Sequence, residues 1–196
     1  MSSRYIARLA AVVLAALALS ACTSSSYSPK PRGYFRIEFP KKAYQTYASG
    51  CPFSVRIPTY ATMEPDRSAD AKPCWMDLAF PTFNARIHLS YMPVTSPANF
   101  NELVEDARTF AFNHTVRATA IDQQRIHRPA GQVYGLKYEI KGNTASNIQF
   151  FVTDSTHHYL RGALYFHEKP RLDSIQPVLD FLNTDIDTLI QSISWR

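Results

Sequence analysis

Residues 133–166, VYGLKYEIKGNTASNIQFFVTDSTHHYLRGALYF, hold the clearest strand pattern in the chain. Leu136, Tyr138 and Ile140 alternate with Lys137, Glu139 and Lys141, the two-residue period of a strand with one apolar face. Polar breaks at 142–146 and 154–157 divide the stretch into three strand-length runs, 133–141, 147–153 and 159–166. Short turns between successive strands predict an antiparallel meander. The last run, YLRGALYF, is apolar on both faces, which places it centrally in a sheet covered on both sides.

The same period recurs upstream. In NARIHLSY (84–91), Ala85, Ile87, Leu89 and Tyr91 share one face, while Asn84, Arg86, His88 and Ser90 share the other. Phe35, Ile37 and Phe39, and then Phe53, Val55 and Ile57, predict two more half-buried strands. Two segments carry the helical period instead. Residues 99–113 open with Asn99 and Glu102 at capping-box spacing and align Leu103, Val104, Ala107 and Ala111 in one stripe. Residues 174–194 repeat Ile175, Val178, Leu182, Ile186, Leu189 and Ile193, with Asp173 and Gln176 as caps and Pro177 in the first turn. Asp180, Asp185 and Asp187 fall on the opposite, solvent face of this second helix. The expected class is α+β, a largely antiparallel sheet with two helices packed on its faces.

The amino terminus sets the compartment. Arg4 and Arg8 precede an uncharged run, LAAVVLAALAL (9–19), the layout of a secretory signal. That run of eleven residues is far short of the roughly 20 a membrane-spanning helix needs. Leu19-Ser20-Ala21-Cys22 follows at once and fits the lipobox pattern of cleavage before an acylated cysteine. The organisation is therefore a signal peptide at 1–21, a lipidated tether at 22–32 with Cys22 as the attachment site, and one α+β domain at 33–196. Ser, Thr and Pro dominate TSSSYSPKPR (23–32), so the tether is extended, reaching about 30 Å at about 3 Å per residue. The domain then faces the periplasm from a membrane of the cell envelope. With Cys22 assigned to lipid, Cys51 and Cys74 form an even pair outside the reducing cytoplasm and predict a disulfide. Without the two signal arginines, 19 of the 21 Lys and Arg remain against 16 Asp and Glu, a modest and scattered basic balance that together with export excludes nucleic acid as a partner.

The chemistry-bearing motifs are absent. The sequence has no glycine-rich phosphate loop, no Gly-x-Ser-x-Gly and no His-Glu-x-x-His, and its six histidines show no helical metal spacing, so no metal, cofactor or catalytic residue is expected. Asp154, Ser155 and His158 invite a triad reading, but Asp-Ser-Thr is ordinary turn chemistry. Two places suit an interaction surface. Lys72-Pro73-Cys74-Trp75 sets a cation and a Trp beside the disulfide, where Trp75 either fills core or anchors a partner. Lys141-Gly142-Asn143 is either a functional loop or a hairpin turn.

The segments PKPRGYFRIEFP (29–40), KPCW (72–75), ARIHLSY (85–91) and the 133–166 stretch together resemble the gliding-motility lipoprotein D family. The resemblance implies Cys22 as the lipidation site and Cys51 with Cys74 as the family's cysteine pair. It also implies a role in gliding bound up with the type IX secretion machinery and no catalytic residues; with the anchor and the absence of a catalytic constellation, the expectation is a non-enzymatic lipoprotein that acts through contacts with other envelope proteins. An alternative expectation is a lipoprotein that binds a lipid or cell-wall ligand. The order of strands and helices is similar to the PsbP/Mog1-type fold.

Overall fold

The computed structural model describes residues 37–48, 50–168 and 171–196; the signal peptide, Cys22 and the tether lie outside the described residues. Among the described residues, ten strands and two α-helices follow in the order β1 (Tyr44–Ala48), β2 (Phe53–Pro58), β3 (Thr62–Pro65), β4 (Trp75–Phe80), β5 (Ala85–Pro93), α1 (Pro97–Phe112), β6 (Ala118–Arg128), β7 (Val133–Gly142), β8 (Ile148–Thr153), β9 (His158–Phe166), α2 (Leu172–Ser192) and β10 (Ser194–Trp195). Seven strands form one sheet in the order β3-β4-β5-β9-β8-β7-β6, and β1-β2-β10 form a second. Every pairing in both is antiparallel. The meander is present as β7-β8-β9, and β9 lies fourth of seven, as its two apolar faces require.

Each face of the large sheet has its own core. Ile87, Leu89, Leu78, Phe150, Val152, Leu160 and Leu164 point to one side, where they meet Leu182, Ile186 and Leu189 of α2 and Phe53, Val55 and Ile57 of β2. Tyr138, Phe151 and Tyr159 point to the other, against Leu103, Ala107 and Ala111 of α1. Each fully buried Leu, Ile or Phe contributes on the order of 2 kcal/mol. Gly162 is what lets β8 and β9 pack, since a Cβ there would lie 2.2 Å from the Phe150 ring.

Several expectations are corrected. Residues 37–43 are not a strand: Ile37 and Phe39 are exposed at 37% and 38%, and Pro40 removes a ladder donor immediately after them. α1 starts earlier than expected, with Ser96 as N-cap accepting from Asn99 N–H at 3.1 Å and Pro97 at the first helical position. α2 starts at Leu172, so Pro177 lies inside the helix rather than in its first turn. Asp185 is not on the solvent face but 1% exposed. Lys137, on the nominal polar face of β7, is 2% exposed, because α2 crosses that face and supplies Asp187 at 2.6 Å.

Candidate functional site

Cys51 and Cys74 are joined by a disulfide, with Cα atoms 5.5 Å apart. Cys51 lies two residues before β2 and Cys74 one residue before β4, so the bond ties the small sheet to the large one. Beside it lies a hollow of about 680 Å³ lined by Lys72, Pro73, Cys74, Tyr91, Met92 and Leu103. Trp75 is half-buried: its Nε1–H donates to the Tyr91 carbonyl at 3.1 Å, and Lys72 Nζ is 5.8 Å from the centre of its rings. Trp75 thus braces the wall, and Lys72 is the exposed charge at the rim.

The floor of this end is a polar-aromatic seam. Tyr91 Oη and His158 Nδ1 are 2.9 Å apart, and the His158 ring stacks on Trp195 of β10 at 5.2 Å. Burial, and then the nearby Asp154 charge, pushes the Tyr91 phenol up. Asp154 is the hub of the β8–β9 turn. Its Oδ1 accepts from the backbone N–H of Thr156, His157 and His158, and its Oδ2 from the Thr156 hydroxyl. Burial alone would raise its pKa; these donors outweigh burial and hold the carboxyl well below the usual range. Ser155 N–H donates to Thr153 Oγ1, so Asp154, Ser155 and His158 form turn contacts and not a triad.

Lys141 and Asn143 lie elsewhere. Three strands separate β4 from β7, a distance of about 19 Å at about 4.8 Å per strand, so the four candidate surface residues do not form one patch. Lys141 pairs with Asp122 at 2.6 Å on an exposed surface. Asn143 serves the fold, because its Oδ1 accepts the Leu172 N–H at 2.8 Å and caps α2, whose own N-cap, Arg171, supplies no side-chain bond. Gly142 makes the turn possible, with φ +114° and the Arg117 carbonyl 2.5 Å from where a Cβ would be.

Asp185 is the centre that the sequence reading missed. Oδ1 accepts from Lys42 Nζ at 2.7 Å and from Tyr44 OH at 2.8 Å, and Oδ2 accepts from Tyr60 OH at 2.6 Å. Lys42 also donates to the Phe181 carbonyl at 2.8 Å and lies 3.3 Å from the centre of the Phe181 ring. Phe39 stacks on the same ring at 4.5 Å. Burial lowers the Lys42 pKa against the opposing pull of Asp185, and it raises Tyr60 and Tyr44. One signal could have found this centre: Val178, Leu182, Asp185 and Leu189 recur at spacings of four, three and four, so Asp185 sits in the apolar stripe. A second buried carboxylate, Asp77 on β4, holds Arg86 Nη1 at 3.0 Å and contacts His88 Nδ1, both from β5.

The family of gliding motility lipoprotein GldD matches residues 24–195. No curated protein matches the chain. The fold is similar to the solution structure of cyanobacterial PsbP (CyanoP) from Synechocystis sp. PCC 6803, with 10% identity and a TM-score of 0.48 over 86% of this chain and 99% of that one. Since the family match spans nearly all of the 196 residues, the chain belongs to the gliding motility lipoprotein GldD family.

Proposed function

We propose that the chain is a non-enzymatic lipoprotein, anchored through Cys22 with its domain in the periplasm, that supports the gliding motility and type IX secretion machinery by contacting other envelope proteins. The family match over residues 24–195 carries the reading. The arrangement of charge supports it: Asp185 and Asp77 direct their oxygens at side chains of the same fold. Deleting the gene in a gliding host is expected to abolish colony spreading and reduce secretion of cargo proteins. Normal spreading and secretion in the deletion strain would overturn the proposal.

The hollow beside the disulfide favours a second reading, binding of a lipid or wall fragment, because Tyr91, Met92, Pro93 and Leu103 give it apolar walls and Lys72 a cationic rim. Extraction of the purified domain, followed by mass spectrometry, tests it: a stoichiometric ligand that a Leu103→Trp variant no longer carries would support this reading over the first.

A further inference from the structure

β6 (Ala118–Arg128) forms one edge of the seven-stranded sheet, and among the described residues nothing pairs with its outer row of backbone N–H and C=O groups. None of its eleven residues is buried. At about 3.4 Å per residue this open edge is about 35 Å long. The opposite edge is different: β3 has four residues and ends on Pro65, which cannot donate to a ladder.

Hollows flank β6 on both faces of the sheet. On the α2 side, one of about 320 Å³ is lined by Gln124, Ile126, Arg128, Lys137 and Ile190, and another of about 320 Å³ lies by Thr119, Ile140, Leu172 and Leu179. On the α1 side, one of about 300 Å³ is lined by Phe112, Thr115, Ala118 and Ile121. A strand added to an edge uses the backbone for affinity and alternate side-chain pockets for specificity, and this edge offers both. The strand's own unpaired charge is positive, whereas the acids lining the α2-side hollows are engaged, Asp187 and Glu139 by Lys137 and Asp180 by Gln176. Arg125 is exposed and makes no ion pair among the described residues, His127 is exposed, and Arg128 donates to the Ile193 carbonyl while its Nε has no partner. The one acid on the strand, Asp122, is taken by Lys141.

We propose that β6 is a docking edge to which an extended, acidic segment of another envelope protein adds as an eighth strand. The inference rests on the proposed role through protein contacts and names the surface and the kind of partner. Charged side chains also guard edge strands against aggregation, but guarding does not call for side-chain-sized hollows on both faces. Self-pairing with a second copy would bring two edges of the same positive sign together.

Three variants of the full chain, expressed in the deletion strain, test the docking edge: Gln123→Pro, Gln124→Pro and Arg125→Glu. Successive N–H groups of a strand point to opposite sides, so one proline variant removes only an outward donor and melts like the parent. That variant and Arg125→Glu are expected to be folded yet to spread no better than the deletion strain. A photo-crosslinker at Gln123 is expected to capture a peptide rich in Asp and Glu from a different protein. Parent-like spreading of both folded variants would overturn the inference while leaving the proposed function standing, whereas normal spreading of the deletion strain overturns the function itself. A crosslink to residues 23–36 of the same chain, or to a second copy, would also overturn it. Should neither proline variant fold, Arg125→Glu and the crosslink decide.

Discussion

Lys42 Nζ lies 2.7 Å from Asp185 Oδ1, joining the segment before β1 to the middle of α2 across 143 positions of sequence. All three ammonium hydrogens have acceptors within reach, and the carboxylate has three donors, so the pair is satisfied inside an aromatic shell. Asp185→Ala strands a part-buried ammonium and two phenols at once. It is expected to destabilise the domain by about 3 kcal/mol, read from the denaturant midpoint. Lys42→Met leaves the carboxylate with both phenol donors and is expected to cost less, about 2 kcal/mol. Equal losses in the two variants would contradict the view that Asp185 is held by a threefold set of donors.

The Cys51–Cys74 bond closes a separation of 23 residues between two sheets. Loop-closure entropy assigns such a crosslink roughly 3 kcal/mol, largely through the unfolded chain. Reduction, or the double replacement by Ala, is therefore expected to lower the melting temperature by about 10 °C while leaving the far-ultraviolet circular dichroism unchanged. A shift of under a degree would mean that the packing of Phe53 and Tyr91, whose rings are 6.0 Å apart, already holds the two sheets together.

Much of this fold is legible because one-sided burial writes a period into the sequence. β5 shows it best: Ala85, Ile87, Leu89 and Tyr91 are buried and Arg86, His88 and Ser90 are not. β6 was illegible for the opposite reason. Neither of its faces is buried, so ATAIDQQRIHR carries no alternation. Of Phe35, Ile37 and Phe39, which carry the alternation, the two described residues, Ile37 and Phe39, belong to no strand, and Phe39 instead packs on Phe181. The spacing of Asp185 within the apolar stripe of α2 marks it as buried, but not what holds it, because Tyr60, Tyr44 and Lys42 are 125 or more positions away. The disulfide needed only the count and the compartment. The interaction residues were the weakest reading, because a turn asparagine that caps a helix and one that binds a partner look alike in sequence.

Asn143 provides the separating test. Asn143→Ala removes the acceptor for Leu172 N–H and is expected to cost about 1 kcal/mol, with hydrogen exchange increasing in the first turn of α2 and little change elsewhere. Loss of gliding without loss of stability would restore Asn143 as an interaction residue.

Asp154 contributes to stability in acid. Its folded pKa lies below the usual 3.8, so its stabilisation is fully present above that value and is lost as pH falls below it. Asp154→Asn keeps an oxygen for the turn but cannot titrate. The variant is expected to be less stable than the parent at neutral pH and to lose less stability on acidification, so that the two denaturation midpoints converge below pH 3.8. Parallel pH profiles would show that the turn does not distinguish the carboxylate from its neutral form.

Cys22 separates location from surface. Under the proposed anchoring, acylation of both the thiol and the new amino group would provide more than one chain, and two lipid signals hold a protein on a bilayer where one is marginal. Cys22→Ala in the full chain is expected to move the protein from the membrane to the soluble fraction with an unchanged melting temperature, since both cores of the domain are built from residues 51–193. Spreading is expected to fail with it. If the released domain still supports full spreading, it finds its partner by affinity alone and the anchor is dispensable. If Cys22→Ala stays on the membrane, attachment runs through some other element, and Leu19-Ser20-Ala21-Cys22 is not a lipobox.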